Sequence, residues 1–305
     1  MNVVLVDIDQ TNFPNLALMK IAEWHRRQGD NVALIQPSDI FMGDSLFEPY
    51  DKIYGACVFT GNAKTAKKIE EMGGYVAGSG TGKPDVLPDE IEHIYPYYLL
   101  YGIKDVAYGF LTRGCPRRCP FCIVSGKEGE TSRKAVKTDL TEWWNGQKEI
   151  KLLDPNILAC EEHEDLLEQL ADSRAWVDFT QGIDARLLTE KNIEIINRIK
   201  TKRIHFAWDN PKDETIKEKL GFFAKESRIK DYRRKSVYVL TNYWSSHEED
   251  LHRVYWLRDN GFDPYVMIYD KEHAPTKTRY LQRWVNNKKI FRTITKFEEY
   301  DHPRG

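Results

Sequence analysis

The sequence has little of what marks secreted, membrane-spanning or strongly nucleic-acid-binding proteins. Five cysteines in 305 residues do not form the dense disulfide framework of a small secreted domain. No apolar run reaches the roughly 20 residues that cross a bilayer, and the opening MNVVLVDIDQ is not a basic leader with a cleavage site. A net charge of −2 predicts no strong non-specific attraction to nucleic acid. We therefore expect a cytoplasmic protein with no membrane partner.

What the sequence does contain is a repeated alternation of apolar strands and helices, which favours parallel sheets. Four short strands are predicted in the first 85 residues or so, and six more from residue 106 onward. The predicted strands are Val3–Val6, Asn31–Ile35, Lys52–Phe59, Tyr75–Ala77, Val106–Thr112, Ile150–Leu153, Trp176–Thr180, Arg203–Trp208, Ser236–Thr241 and Pro264–Tyr269. The pattern predicts an α/β protein, with a small Rossmann-like parallel-sheet domain followed by a partial (β/α)6 barrel.

We expect three segments: residues 1–98 as the Rossmann-like domain, 99–270 as the partial barrel, and 271–305 as a C-terminal extension. The extension is basic and carries Tyr280, Trp284 and Phe291 among its lysines and arginines. Such a pattern suits phosphate contact with base stacking, but it also suits an amphipathic helix that packs on the barrel. Nucleic acid therefore stays open as an alternative partner.

Three of the five cysteines fall within eight residues, directly after the first predicted barrel strand. Cys115, Cys119 and Cys122 are spaced C-x3-C-x2-C. Three thiolates on one loop can hold three irons of a 4Fe-4S cluster and leave the fourth iron without a protein ligand. Catalytic metal sites keep an open position of this kind. Zinc is the alternative, since Cys160 and His163 offer half of a tetrahedral site.

This motif, placed after a strand, resembles that of the radical S-adenosylmethionine (SAM) superfamily. Phe121, before the third cysteine, is aromatic as is usual there, and the resemblance covers roughly residues 103–270. It implies that SAM chelates the open iron through its amino and carboxylate groups. One electron from the reduced cluster then cleaves SAM to methionine and a 5′-deoxyadenosyl radical, which abstracts hydrogen from an unknown substrate. A reductant such as flavodoxin or ferredoxin is implied as a partner.

The resemblance also implies that SAM-binding residues lie at the ends of the barrel strands. The implied positions are Phe121, Asp154, Asn156, Gln181, Asp184, Arg186, Asp209, Asn242 and Met267. The segment after the second strand takes the amino-group role, although it departs from the usual glycine-glycine-glutamate pattern. Asp209 is expected at the ribose hydroxyls, and residues 181–186 near the cluster or the SAM carboxylate. An Asp or Asn after a strand is often only a cap or turn residue.

The first domain resembles the cobalamin-binding-type domain that precedes the barrel in many radical SAM enzymes, including methyltransferases and methylthiotransferases. The cobalamin-ligating pattern Asp-x-His-x-x-Gly is missing, so we favour a domain that keeps the fold without cobalamin. The glycine loop Gly78–Gly82 could cradle a phosphate through backbone N–H groups, but Ala77 stands where a P-loop has its first glycine. Methylthiotransferases carry a second cluster on three cysteines here, and only Cys57 is present.

The first hypothesis is therefore a radical SAM enzyme with a single site-differentiated 4Fe-4S cluster and an unknown substrate. A cobalamin-dependent radical SAM methyltransferase and a nucleic-acid-modifying radical SAM enzyme are alternatives within the same chemistry. A non-enzymatic iron–sulfur or zinc binding module is the third hypothesis. No catalytic residue is assigned.

Overall fold

A computed structural model describes residues 1–42, 50–83, 86–128 and 138–301 of the chain. The chain divides into two compact units, Met1–Gly109 with Thr138–Gln147 and Phe110–Lys137 with Lys148–Gly305. The predicted segment boundaries after residues 98 and 270 stay predictions. In the part of the chain that the structure describes, no helix is long and apolar enough to cross a membrane.

The described residues alternate between strands and helices along almost the whole chain. The strands are β1 Asn2–Asp7, β2 Asn31–Ile35, β3 Lys52–Ala56, β4 Tyr75–Ala77, β5 Val106–Gly109, β6 Glu149–Leu152, β7 Trp176–Ile183, β8 Lys200–Ala207, β9 Lys235–Thr241 and β10 Asp263–Ile268. The helices are α1 Leu16–Arg27, α2 Pro37–Met42, α3 Ala63–Glu71, α4 Asp89–Glu92, α5 Val124–Glu128, α6 His163–Ser173, α7 Glu190–Ile196, α8 Glu214–Glu226, α9 His247–Asp259, α10 Thr276–Asn286 and α11 Lys288–Thr293.

The first unit contains a four-stranded parallel sheet in the order β2-β1-β3-β4. Its central strand β1 is apolar on both faces, as strands covered on both sides must be. Val4 packs in one core cluster with Ile69 of α3, and Leu5 packs in another with Leu18 of α1. Helices on both faces of a parallel sheet give the Rossmann-like arrangement that the sequence predicts.

The carboxyl edge of the first sheet is closed by its own loops. The Asp9 carboxylate, just beyond β1, accepts hydrogen bonds from the backbone N–H groups of Val58 and Phe59 and from Asn62 Nδ2, the last at 2.8 Å. These bonds turn the chain away from the sheet, so β3 ends at Ala56 and not at Phe59, where we predicted it to end.

A second sheet has six strands in the order β10-β9-β8-β7-β6-β5, and its strand pairs from β6 to β10 are parallel. One face is apolar and fully buried, for example at Val177, Ile204 and Val237. The other face carries polar side chains such as Asp178 and His205. An open sheet of this order with helices between its strands is a partial barrel, and the predicted fold class is confirmed.

The C-terminal helices α10 and α11 belong to the core of the second unit. Trp284 is completely buried and Phe291 nearly so, in one cluster with Val254 of α9 and Val266 of β10. The indole Nε1 of Trp284 donates to the carbonyl of Ile294 at 2.9 Å. Both rings are therefore packing residues and are not available for base stacking. Nucleic acid as a partner stays a prediction without this support.

Candidate functional site

The three cysteines lie on the segment that follows β5 and leads into α5. Cys115 and Cys119 are half-buried and Cys122 is exposed. The backbone N–H of Cys122 donates to the carbonyl of Cys119 at 2.9 Å, which makes the C-x2-C portion a turn. Burial raises the pKa of the Cys119 thiol, Arg186 opposes the rise, and negative charge on Cys122, Asp209 and Cys115 adds to it. The three thiols thus share one electrostatic environment.

The three thiols do not form a finished metal site. Among the described residues, no group of three or more His, Cys, Asp or Glu side chains is arranged to hold a metal ion. Their pairing with iron is therefore still a prediction. Cys122 is exposed and precedes the short helix α5 by two residues, so it lies at the solvent side of the cysteine segment.

Asp154, in the turn after β6, holds the start of the cysteine segment. Its Oδ2 accepts a hydrogen bond from the backbone N–H of Leu111 at 2.8 Å. Its Oδ1 accepts bonds from the backbone N–H and the hydroxyl of Thr112, both at 2.7 Å. Burial raises the pKa of Asp154 to about 7, and these hydrogen bonds oppose the rise. The carboxylate thus supports the loop, and its implied role at the SAM amino group stays a prediction.

Asn156, two residues further on, contacts the cysteine motif itself. Its Nδ2 donates to Cys115 Sγ at 3.4 Å, and the residue is only 4% exposed. The other end of the amide, Oδ1, is buried without a hydrogen-bond partner in the described structure. An unsatisfied buried acceptor is rare in folded proteins and calls for a ligand or a functional reason.

Two arginines meet at Asp184, beyond the end of β7. Asp184 accepts from Arg117 Nε at 2.8 Å and from Arg186 Nε at 2.7 Å, and Arg186 Nη1 lies 3.6 Å from Asp213. Burial alone would raise the pKa of Asp184, but the two guanidinium groups outweigh it and hold that pKa below its ordinary value. Asp184 thus orients Arg117 and Arg186 beside the cysteine motif. Sequence reasoning included Asp184 and Arg186 but not this role for Arg117.

Gln181 is exposed on the irregular end of β7. The register of β7 against β8 shifts between Phe179 and Ile183, and Gly182 has a φ of +106°, a value that favours glycine. The strand therefore continues to Ile183, three residues beyond the Thr180 that we predicted as its end. The bulge re-aims the side chains at this strand end, as bulges near functional sites often do.

Asp209 follows β8 and is half-buried. Burial raises its pKa to about 6, and the positive charges of Arg253 and Arg186 oppose the rise. The guanidinium of Arg253 is fully buried and donates to the backbone carbonyls of Trp208, Asp209 and Leu240 and to the Asp250 carboxylate. Sequence reasoning missed Arg253, because nothing in the charged helix HEEDLHRVYWLRD separates it from its neighbours.

Four aromatic rings, Phe121, Tyr243, Trp244 and Tyr269, form what we call the aromatic cluster. Ring centroids lie 5.6 Å apart for Phe121 and Tyr243, 5.4 Å for Phe121 and Trp244, and 4.6 Å for Tyr243 and Tyr269. Trp244 is 42% and Tyr269 41% exposed. The cluster joins the cysteine motif to the ends of β9 and β10. Only Phe121 was predicted, although an aromatic residue closely following each of these strands was a visible signal.

Asn242 and Met267 lie beside the aromatic cluster. Asn242 has a φ of +61°, and its Nδ2 donates to the Tyr269 carbonyl at 3.0 Å, so it fixes the turn after β9. Met267 is 45% exposed, and its carbonyl accepts from the Thr241 hydroxyl at 3.1 Å. The structure gives Asn242 a turn-forming function, and cofactor contact by either residue stays a prediction.

Comparison with known proteins finds a similar fold. No protein-family model and no curated protein sequence matches the chain. The chain is similar to the structure of the radical S-adenosylmethionine methyltransferase TsrM from Kitasatospora setae with tryptophan substrate and a SAM analog, aza-SAM, bound. The TM-score is 0.50 at 11% sequence identity, covering 87% of this chain and 67% of that chain. A structure of TsrM with cobalamin and a 4Fe-4S cluster gives a TM-score of 0.49 at 11% identity, covering 88% and 69%.

Proposed function

We propose that this chain is a radical SAM enzyme that binds one 4Fe-4S cluster through Cys115, Cys119 and Cys122. The observation that carries the proposal is the cysteine segment at the carboxyl end of strand β5, held by Asp154 and contacted by Asn156. The carboxyl ends of such strands are where α/β proteins bind ligands. The fold, which a SAM-binding methyltransferase also has, supports the proposal by analogy.

The residues fit the proposed cluster by their chemistry. Three thiols within eight residues can ligate three of the four irons, since cysteine thiolates are the ligands that hold such clusters. The amide of Asn156 supplies a donor beside one of these thiols, and Cys122 is exposed. When bound, the cluster would supply the electron that cleaves SAM, and a single-electron donor such as flavodoxin or ferredoxin would have to reduce it.

The chain's own residues would hold and orient SAM. The aromatic cluster offers exposed ring faces and edges for a planar base, a contact that adds about 0.5–1.5 kcal/mol beyond surface burial. Arg117 and Arg186 are oriented by Asp184 and would attract the carboxylate of the methionine moiety. Asp209 would accept hydrogen bonds from the ribose hydroxyls.

The test is anaerobic reconstitution of the full chain, with iron and sulfide counted and 5′-deoxyadenosine measured after addition of SAM and dithionite. We expect about four irons and four sulfides per chain, and 5′-deoxyadenosine above the level without protein. The matched variants remove either the three motif cysteines or the two buried cysteines outside it. Cys115→Ala, Cys119→Ala and Cys122→Ala together should abolish both signals, whereas Cys57→Ala with Cys160→Ala should keep them. Failure of wild-type protein to form a cluster, or equal signals in both variants, would overturn the proposal.

A further inference from the structure

We propose that Asn156 is a positioning residue that donates a hydrogen bond to the Cys115 sulfur and thereby raises the reduction potential of the bound cluster. The redox part of this inference rests on the proposed function. The hydrogen bond itself concerns the chain without any cofactor, so the two can be tested separately.

Asn156 is held firmly by its neighbours in the chain. It lies between Pro155 and a short 3-10 turn, Ile157–Ala159, and its carbonyl accepts a hydrogen bond from the Ala159 N–H at 3.1 Å. Two residues earlier, Asp154 is bonded to the backbone of Leu111 and Thr112. The short segment 154–156 therefore contacts the cysteine segment at two places, near its start and at its first cysteine.

An amide at position 156 has one contact that an apolar side chain could not make. Asn156 is almost completely buried, and its Oδ1 has no partner among the described residues. An apolar side chain of similar size would avoid leaving that acceptor unsatisfied. The amide gains one polar contact in return, from Nδ2 to Cys115 Sγ. Asparagine therefore supplies an N–H donor to the Cys115 sulfur, which neither leucine nor an ionised aspartate could supply.

The Asn156 amide also acts electrostatically on the sulfur that it contacts. Reduction adds negative charge to an iron–sulfur cluster and its thiolate ligands, and an N–H group aimed at a ligand sulfur stabilises that charge. Hydrogen bonds to ligand atoms are among the known means by which a protein tunes a metal site. The Asn156 amide should therefore stabilise the reduced cluster relative to the oxidised one, which makes the cluster easier to reduce.

The redox test compares wild-type protein with Asn156→Leu and Asn156→Asp after reconstitution, by a redox titration followed by electron paramagnetic resonance. Leu removes the donor, and Asp keeps the shape but adds negative charge. We expect midpoint potentials in the order wild type, Asn156→Leu, Asn156→Asp, from least to most negative. At a fixed solution potential, the ratio of reduced to oxidised cluster should be about tenfold lower in Asn156→Leu than in wild type. This corresponds to a midpoint potential about 59 mV more negative for a one-electron couple. Equal potentials at equal iron content would overturn the redox inference.

The cofactor-free test observes the side-chain amide of Asn156 by nuclear magnetic resonance in protein labelled at asparagine. Cys115→Ala removes the acceptor, and Cys119→Ala is the matched control on the same loop. We expect the Asn156 Nδ2 protons to exchange about tenfold faster in Cys115→Ala than in wild type, and at the wild-type rate in Cys119→Ala. Equal rates in all three proteins would overturn the hydrogen bond. If wild-type protein forms no cluster, the proposed function fails while this test still decides the contact.

Discussion

The two parallel sheets follow the same construction, but their carboxyl edges differ in how fully the local polar groups are satisfied. At the first sheet, Asp9 bonds to three neighbouring donors, and Gly80 brings the backbone against Phe59. At the second sheet, Asn156 Oδ1 has no partner among the residues that the structure describes, and two rings of the aromatic cluster, Trp244 and Tyr269, are exposed. The comparison teaches that a strand end offers only a location. Polar groups left without an internal partner are what would suit that location to bind a ligand.

The glycine loop illustrates the closed edge. A Cβ at Gly80 would lie 2.7 Å from the carbonyl oxygen of Phe59 and 2.8 Å from Cys57 Sγ. The Thr81 hydroxyl donates to the Gly78 carbonyl at 2.8 Å. Close backbone packing thus explains a glycine in this loop without a phosphate. This packing accounts for Gly80 alone, and a first domain without cobalamin stays a prediction.

The largest effect on stability is expected from removing a carboxylate that bonds to loop backbone, and it should be larger for Asp154 than for Asp9. Asp154→Ala leaves two buried N–H groups and a buried hydroxyl without an acceptor, so we expect a loss of about 3–5 kcal/mol in the free energy of unfolding. Asp9→Ala also releases three donors, but they lie nearer to solvent, and the loss should be about 1–2 kcal/mol. Urea denaturation measures both. Equal losses would contradict the contrast between a buried and an exposed anchor.

The next effect concerns pH and Asp209. Its pKa is raised from 3.8 to about 6, so the folded state binds a proton more tightly than the unfolded state. The resulting destabilisation, up to about 3 kcal/mol, is complete above pH 6 and is relieved as the pH falls toward 4. Asp209→Asn should therefore unfold at higher urea concentration than wild type at pH 8, and the two proteins should converge near pH 4. A difference that does not change with pH would count against this assignment.

A smaller effect should distinguish two glycines at the closed edge. Gly80→Ala forces a methyl group against backbone and sulfur, and such overpacking costs about 1–3 kcal/mol. Gly61→Ala is the control, because a Cβ there would meet no atom within 4 Å. Thermal or urea unfolding should show a clear loss for the first variant and almost none for the second. If Gly80→Ala were neutral, the loop would have room for a ligand after all.

The smallest effect on stability should come from exposed aromatic residues, one at each edge. Trp244→Ala and Phe59→Ala should each change the free energy of unfolding by less than about 1 kcal/mol, since the two side chains are 42% and 56% exposed. Their effects on SAM binding should differ. Trp244→Ala should weaken binding to the reconstituted protein about threefold to tenfold through loss of a ring contact, while Phe59→Ala should leave it unchanged. Isothermal titration calorimetry measures both, and equal affinities would remove the aromatic cluster from the SAM site.

Both sheets were predictable because strands buried on one or both faces leave a strong apolar pattern. The ends of the strands were less predictable, because they depend on contacts with residues that are distant in the sequence. The N–H groups of Val58 and Phe59 leave the sheet for Asp9, and the bulge at Gly182 extends β7. The cysteine motif was visible from spacing alone. Trp284 shows what the sequence alone could not decide. Aromatic residues among basic ones occur both in packed helices and on interaction surfaces, and Trp284 belongs to a packed core.

Arg253 has a consequence for how the ends of β8 and β9 respond to a ligand. Its guanidinium donates to carbonyls at both strand ends, at 2.9 Å for Asp209 and 2.9 Å for Leu240. An arginine stays charged over the whole pH range in which proteins are folded. We therefore expect a displacement at Asp209 to be felt at the turn that carries Tyr243. A lysine could not make the same forked contact, so such a substitution would let the two turns shift independently.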